Sequence, residues 1–260
     1  VSGYELHVGD CVEWLRGIED ASVDLVVTDP AYESLEKHRA IGTTTRLTAD
    51  WFPIFGNERL ADLLAELYRV LKQDTHCYVF CDQETMHVLH RLIEDDVVFA
   101  APRRHPFRWW KFLVWEKTRA TKHEDEDEAG PSAGMGYHYR AAHECVVFLE
   151  KGKRKLRNLG TCDVLRAPRV RGGYPTEKPV DVLATLVGQS SEPGELVIDP
   201  FLGSGSAGEA AMLLGRRFAG CDVTQRSVDL AGQRLYQKYA TDPGRVLTSR
   251  RPPAQGSLFG

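Results

Sequence analysis

The chain has 260 residues, 42% of them hydrophobic and 27% charged, with a formal net charge of −4. This supports one large domain with a sizeable core and excludes a globally basic nucleic-acid binder, so affinity for a polyanion must come from a local patch. No apolar run is long enough to cross a bilayer, and residue 1 is not followed by a charged-then-apolar leader pattern, so a cytoplasmic protein is expected.

Residues 23–28 form an apolar-rich run containing Asp24 and followed by Asp29, the pattern of a strand buried in a parallel sheet. In residues 57–72, Leu60, Leu63, Leu64, Leu67 and Leu71 follow the 3–4 spacing of an amphipathic helix, with Asn57 as its N-cap and Glu58 in its first turn. A strand at 76–81 and a helix at 83–94 follow. Residues 109–115 and 144–149 read as strands. Between them, the acidic run 124–128 and Gly130-Pro131-Ser132 predict a solvated loop. A helix at 179–190, with Pro179 near its start, precedes a strand at 195–199, a helix at 206–214, a strand at 217–222 and a helix at 224–239. The tail from residue 241 is rich in Pro, Gly and Arg and is not expected to pack. Alternating strands and helices predict an α/β fold with a doubly wound, mostly parallel sheet. The six cysteines have neither CxxC nor zinc-ligand spacing and read as buried free thiols in a reducing compartment, with no metal site.

Two turns carry chemistry. Gly203, Gly205 and Gly208 satisfy GxGxxG between a strand and a helix, and Asp222 ends the next strand about 20 residues on, where a ribose-binding acid belongs. Alone, this turn fits NAD as well, or a packing role. The earlier turn, Asp29-Pro30-Ala31-Tyr32, ends the 23–28 strand. Read without the second, it fits an ordinary strand-ending turn with a surface tyrosine equally well.

Together and in this order, the two turns resemble the S-adenosylmethionine-dependent DNA amino-methyltransferases of the permuted β class. Further matches are Gly9-Asp10-Cys11, Trp51-Phe52-Pro53-Ile54, Val79-Phe80-Cys81-Asp82, Val114-Trp115-Glu116-Lys117, His143-Glu144-Cys145-Val146-Val147-Phe148 and Tyr174-Pro175-Thr176-Glu177-Lys178-Pro179. The resemblance spans roughly residues 4–238. It implies a Rossmann-like methyltransferase sheet in circularly permuted order, as a single domain over 1–240 with a flexible tail at 241–260. The catalytic half would cover about 1–150, the DNA-recognition segment about 103–172 and the cofactor half about 173–240. S-adenosylmethionine is the implied cofactor. Asp10 would face its adenine, and Asp222 its ribose. Thr176 and Lys178, with Asp199, Phe201, Gly203, Ser204 and Gly205 of the glycine turn, would hold its methionine end.

The family reaction methylates an exocyclic base amine directly, without a covalent enzyme intermediate. That nitrogen is a poor nucleophile because it is conjugated to its ring. Acceptors aimed at its N–H groups favour attack, and the resemblance assigns them to the Asp29 carboxylate and the Pro30 carbonyl. Tyr32 would stack on the flipped base. The family usually carries DPPY or SPPY, so Ala31 removes a proline and the rigidity it gives the turn. Asp in the first position leans toward adenine N6, and Ser would lean toward cytosine N4.

The implied partner is double-stranded DNA, and the implied source is prokaryotic or phage. Expected DNA contacts are Arg39, Arg108, Lys151, Lys153, Arg154, Lys155, Arg169 and Arg171, drawn largely from the basic run 151–171 and a basic-aromatic cluster at 103–111. The segment 134–140 is a further DNA-facing candidate. Gln255-Gly256-Ser257-Leu258-Phe259 resembles the peptide by which replication proteins bind the sliding clamp. A homodimer is compatible with the chain. The competing classes are an NAD-dependent oxidoreductase and a non-catalytic DNA-binding module. The first leaves Asp29-Pro30-Ala31-Tyr32 unexplained, and the second leaves the intact Asp29, Tyr32 and glycine turn without a role. Cytosine C5 methylation requires a nucleophilic cysteine, usually after proline, and the chain has no Pro-Cys pair.

Overall fold

A computed structural model describes residues 3–33, 53–94, 107–119, 132, 139–171, 174 and 176–240. In chain order the elements are β1 (Tyr4–Val8), α1 (Cys11–Arg16), β2 (Val23–Thr28), a 3-10 turn (Asn57–Arg59), α2 (Leu60–Val70), β3 (Leu71–Cys81), α3 (Gln83–Glu94), β4 (Arg108–Thr118), β5 (His143–Lys151), β6 (Val164–Pro168), α4 (Val180–Ser190), β7 (Leu196–Asp199), α5 (Ser206–Leu213), β8 (Arg217–Asp222) and α6 (Gln225–Ala240).

The described strands form one sheet in the order β1-β8-β7-β2-β3-β5-β4-β6, in which β5 alone runs against the others. Every residue of β2 and β7 is buried, as expected of central strands covered on both faces. Successive strand residues point to opposite faces, so each strand feeds two cores. Val26, Cys77 and Val79 pack with Leu15 of α1, Leu63 and Leu67 of α2 and Leu89 of α3. Leu25, Val27, Tyr78 and Phe80 pack on the other face with Leu183 and Leu186 of α4, Ala210 of α5 and Leu235 of α6.

Neighbours β7 and β2 lead in opposite directions across the sheet. β7 is followed by β8 on one side, and β2 by β3 on the other. Their carboxyl ends therefore open the crevice where ligands bind in doubly wound folds. Asp24 ties the two halves together. Its Oδ2 accepts from the Leu196 amide at 2.8 Å and its Oδ1 from Lys72 Nζ at 2.7 Å.

Several expectations need correction. Asn57 is not a side-chain cap. Its Nδ2 and its backbone N–H donate to the Glu33 carboxylate at 2.8 and 2.9 Å, and the chain enters α2 through the 3-10 turn without a side-chain cap. The structure adds β1, α1 and β6, which the sequence reading did not place, and β3 begins at Leu71 rather than at 76. Five cysteines are buried, but Cys162 is exposed. No described helix is long and apolar enough to cross a membrane. Arg39, Pro175, the acidic run 124–128, residues 134–138 and the clamp-like peptide 255–259 lie outside the described residues.

Candidate active site

A cavity of about 320 Å³ opens where β2 and β7 end. One wall is the Asp29–Tyr32 turn and the other the glycine turn after Asp199. Thr28 joins them, its hydroxyl donating to Asp199 Oδ1 at 2.8 Å.

The glycine turn is shaped by backbone that side chains would spoil. Gly203 and Gly205 have φ of 49° and 77°, in the left-handed region that favours glycine. A Cβ on Gly205 would lie 2.7 Å from that of Ala231, so glycine lets the turn approach α6. Asp222 braces the turn: Oδ2 accepts from the Gly203 amide at 3.0 Å, and Oδ1 from the Thr224 amide and hydroxyl at 2.9 and 2.8 Å. Asp222, Phe201 and Ser204 all line the cavity. Asp199 is buried, and that burial pushes its carboxyl up to about 7, against the lowering effect of the Thr28 hydroxyl and the Phe201 amide.

Asp10 sits at the far end of the cavity as the N-cap of α1, accepting from the Val12 and Glu13 amides at 3.0 and 3.2 Å. Arg59 Nη2 reaches both its oxygens, at 2.8 and 2.7 Å. Burial works against ionisation of Asp10, but the Arg59 guanidinium and the helix amides hold the carboxyl below its usual range. Arg59 also lies over the Phe55 ring, 4.8 Å from its centroid, and Phe55 meets Phe201 edge-to-face at 5.0 Å. Both Arg59 and Phe55 line the cavity, and neither stood out in the sequence.

On the other wall, the flexibility expected from Ala31 is countered by pairing. The Phe55 amide donates to the Ala31 carbonyl at 2.7 Å, within an isolated bridge between Tyr32 and Phe55. With the Glu33–Asn57 bonds, this pins the turn on two sides. Pro30 and Tyr32 line the cavity beside Asp29.

Lys178, expected at the cofactor's methionine end, lines the cavity and turns its ammonium to Asp29. Its ammonium, on a side chain only 5% exposed, donates to Asp29 Oδ2 and to the Thr176 carbonyl, the latter at 3.2 Å, and lies 3.3 Å from Glu144 Oε2. Glu144 Oε1 is in turn 2.6 Å from Lys117 Nζ. Asp29 Oδ1 is buried and has no hydrogen-bond partner among the described residues. Burial raises the Asp29 carboxyl above its usual range, and Lys178 opposes that rise. Burial would likewise raise Glu144, but the two lysines hold it low. Thr176, which positions its carbonyl for Lys178, has φ of 64°, a rare conformation for a β-branched residue and a mark of strain at the cavity wall. Glu144 lay within a motif of the sequence but was not singled out as a site residue, because its lysine partners come from distant strands and loops.

The structure separates the expected DNA contacts. Because β5 is reversed, Lys151 pairs with Thr75 while Cys145 pairs with Cys81 beside the cavity. Those six residue steps place Lys151 about 20 Å from the cavity end of the sheet. Lys151 donates to the Tyr68 and Leu71 carbonyls at 2.7 and 2.6 Å, and Arg154 pairs with Glu195 at 2.9 Å. Lys153 and Lys155 follow on the same distal side, and Arg108 pairs in register with Glu150 there. Phe107 belongs to the core and Trp109 packs against it, while Trp110 is exposed beneath Arg108. Arg169 and Arg171 instead follow β6, whose carboxyl end lies beside Lys117 and Thr118 at the cavity end.

Comparison with known proteins accords with this geometry. The N6_N4_Mtase family, described as DNA methylase, matches residues 23–167 and 161–233. YubD of Escherichia coli (strain K12) is 31% identical over 229 residues, covering 87% of this chain and 88% of that protein. Among solved structures, the M1.HpyAVI–SAM complex is similar with a TM-score of 0.59 and 17% identity, covering 89% of this chain and 99% of that one. The cytosine-N4-specific PvuII DNA methyltransferase is similar with a TM-score of 0.64 and 15% identity, covering 92% of each chain.

Proposed function

Because this chain belongs to the N6/N4 DNA methylase family, the S-adenosylmethionine-dependent DNA amino-methyltransferases, we propose that its acceptor is the N6 amine of an adenine flipped out of double-stranded DNA. The observation that carries this reading is Asp29 Oδ1, a buried acceptor with no partner among the described residues, on the cavity wall next to Pro30 and Tyr32. A buried acceptor left without a donor is costly, and a base N–H would satisfy it.

The cavity suits the cofactor. Glycine at 205 lets the turn seat against Ala231 of α6 beside the cavity, and the side chains of Asp199 and Asp222, which line it, would accept from cationic and hydroxyl groups of the cofactor. Asp199, Phe201, Gly203, Ser204, Gly205 and Thr176 would hold the methionine end, Asp222 the ribose and Asp10 the adenine. When bound, S-adenosylmethionine supplies a methyl group activated by its sulfonium. Asp29 Oδ1 and the Pro30 carbonyl would accept from the two amine N–H groups and draw the nitrogen toward sp³ character as it takes the methyl; the carbon–sulfur bond would break to leave a neutral thioether, and the nitrogen would lose one of its protons from the hydrogen bond at Asp29 Oδ1. Tyr32 stacks on the base and fixes its reach, which offsets part of the few kcal/mol spent on unstacking. Arg169 and Arg171, which follow β6 at the cavity end of the sheet, would neutralise phosphates beside a flipped nucleotide.

The test uses labelled S-adenosylmethionine and unmethylated genomic DNA, followed by nucleoside digestion and mass spectrometry. N6-methyladenine is expected from the wild type and none from Asp29→Ala, whose cofactor binding should survive. N4-methylcytosine would keep the mechanism and overturn the base assignment. If no methylated base forms, DNA is not the acceptor.

A further inference from the structure

We propose that Glu144 is a positioning residue for methyl transfer, acting through Lys178 to present Asp29 Oδ1 to the acceptor amine. Lys117, Glu144, Lys178 and Asp29 form a chain of alternating sign that crosses the sheet from β4 through β5 to the carboxyl end of β2. The inference rests on the functional reading above and adds to it a division of labour among these four groups.

The geometry is asymmetric. Glu144 Oε1 holds Lys117 at 2.6 Å, whereas Oε2 is 3.3 Å from Lys178 and makes an ion pair without a hydrogen bond. Glu144 is thus shared between two cations, hydrogen-bonded to Lys117 and ion-paired with Lys178. Lys178 is drawn toward Glu144 but remains hydrogen-bonded to Asp29 Oδ2. The Phe80 ring, 5.5 Å from the ammonium, and the Thr176 carbonyl close its remaining sides. With Oδ2 taken, the Asp29 carboxylate has one orientation, and Oδ1 is the atom left to accept from substrate.

Each partner has a physical reason to be there. A lone carboxylate this deep would favour its neutral form, which accepts poorly from an amine. One lysine beside Asp29 offsets part of that, but a buried ammonium with a single anchor could swing out of line. Glu144 provides the second anchor; its own charge raises the Asp29 carboxyl, so its contribution is to place Lys178, and the hydrogen bond from Lys117 fixes its other oxygen. Two acids and two bases leave the group neutral, which a low-dielectric site requires.

The experiment compares wild type, Glu144→Gln, Lys178→Met, the Glu144→Gln/Lys178→Met pair and the neutral pair Lys117→Met/Glu144→Gln. For each, kcat for methyl transfer to DNA and the Kd for S-adenosylmethionine are measured. Glu144→Gln should lower kcat by up to about 100-fold, the scale of a small misplacement of a reacting group. Its cofactor Kd should stay within about twofold. Adding Glu144→Gln to Lys178→Met should cost nothing further, because one acts through the other. The neutral pair keeps the core free of an unmatched charge, so its folding, read by thermal melting, separates lost positioning from lost stability. Full kcat in Glu144→Gln, a loss that adds to that of Lys178→Met, or a weakened cofactor Kd with normal kcat would each overturn the proposal. A wild type that methylates no DNA would remove this proposal together with the functional reading, whereas an active wild type with an equally active Glu144→Gln would remove this one alone.

Discussion

Asp199 is the site residue whose chemistry changes most near neutral pH, because burial raises its carboxyl to about 7. The neutral form is favoured in the folded apo chain, so its contribution to stability is full below the unfolded value of about 3.9 and is lost as pH rises through about 7. Binding a cationic methionine end should favour the ionised form instead. The Kd for S-adenosylmethionine is therefore expected to fall, by up to about tenfold, as pH rises from about 6 to about 8, with a flatter profile in Asp199→Asn. Isothermal calorimetry across that range checks it, and a profile unchanged by Asp199→Asn would remove Asp199 from cofactor binding. Asp29, Asp199 and Asp222 were legible because each ends a strand within a recognisable turn. Arg59, Phe55 and Glu144 were not. Their roles depend on partners at Asp10, Phe201 and Lys178, which no local pattern connects to them.

Elements with strong periodicity were readable, and β2, α3 and β8 have the expected bounds. Short or mixed elements were not. α1 has six residues, too few for a 3.6-residue period to show, and the cap that Asp10 gives it is seen only in the structure. β6 lies inside a basic run, and only pairing with β4 makes it a strand. α5 depends on its glycine entry: Gly205 is its N-cap at φ 77°, with Ala231 of α6 close against it. Gly205→Ala should destabilise the fold by about 2–4 kcal/mol, from left-handed strain and overpacking together. Urea denaturation reads this directly, and a loss below about 0.5 kcal/mol would show that the turn relaxes freely.

Across the whole molecule, the site exists because residues 28 and 199 are brought to adjoining strand ends at the reversal of sheet order. Asp24 secures that arrangement from the opposite end of β2, joining the start of β7 and Lys72. Asp24→Ala would leave the buried Leu196 amide without its acceptor. A loss of about 2–3 kcal/mol in unfolding free energy is expected, with kcat per folded molecule largely kept because the cavity lies at the other end of the strand. A loss of activity without a loss of stability would mean that Asp24 serves the site rather than the junction.

By itself, the sequence determined the α/β class, the identity and order of the two turns that line the candidate site, and the central buried strands. These depend on residue type and short spacing, which local sterics and burial dictate. Tertiary structure alone decided which basic residues share the cavity end, since reversal of β5 carries 151–155 to the far side. It also decided that Lys178 serves Asp29, through a bond spanning 149 positions of chain. Contacts of that range depend on which strands become neighbours, and strand order is set by the packing of the whole sheet.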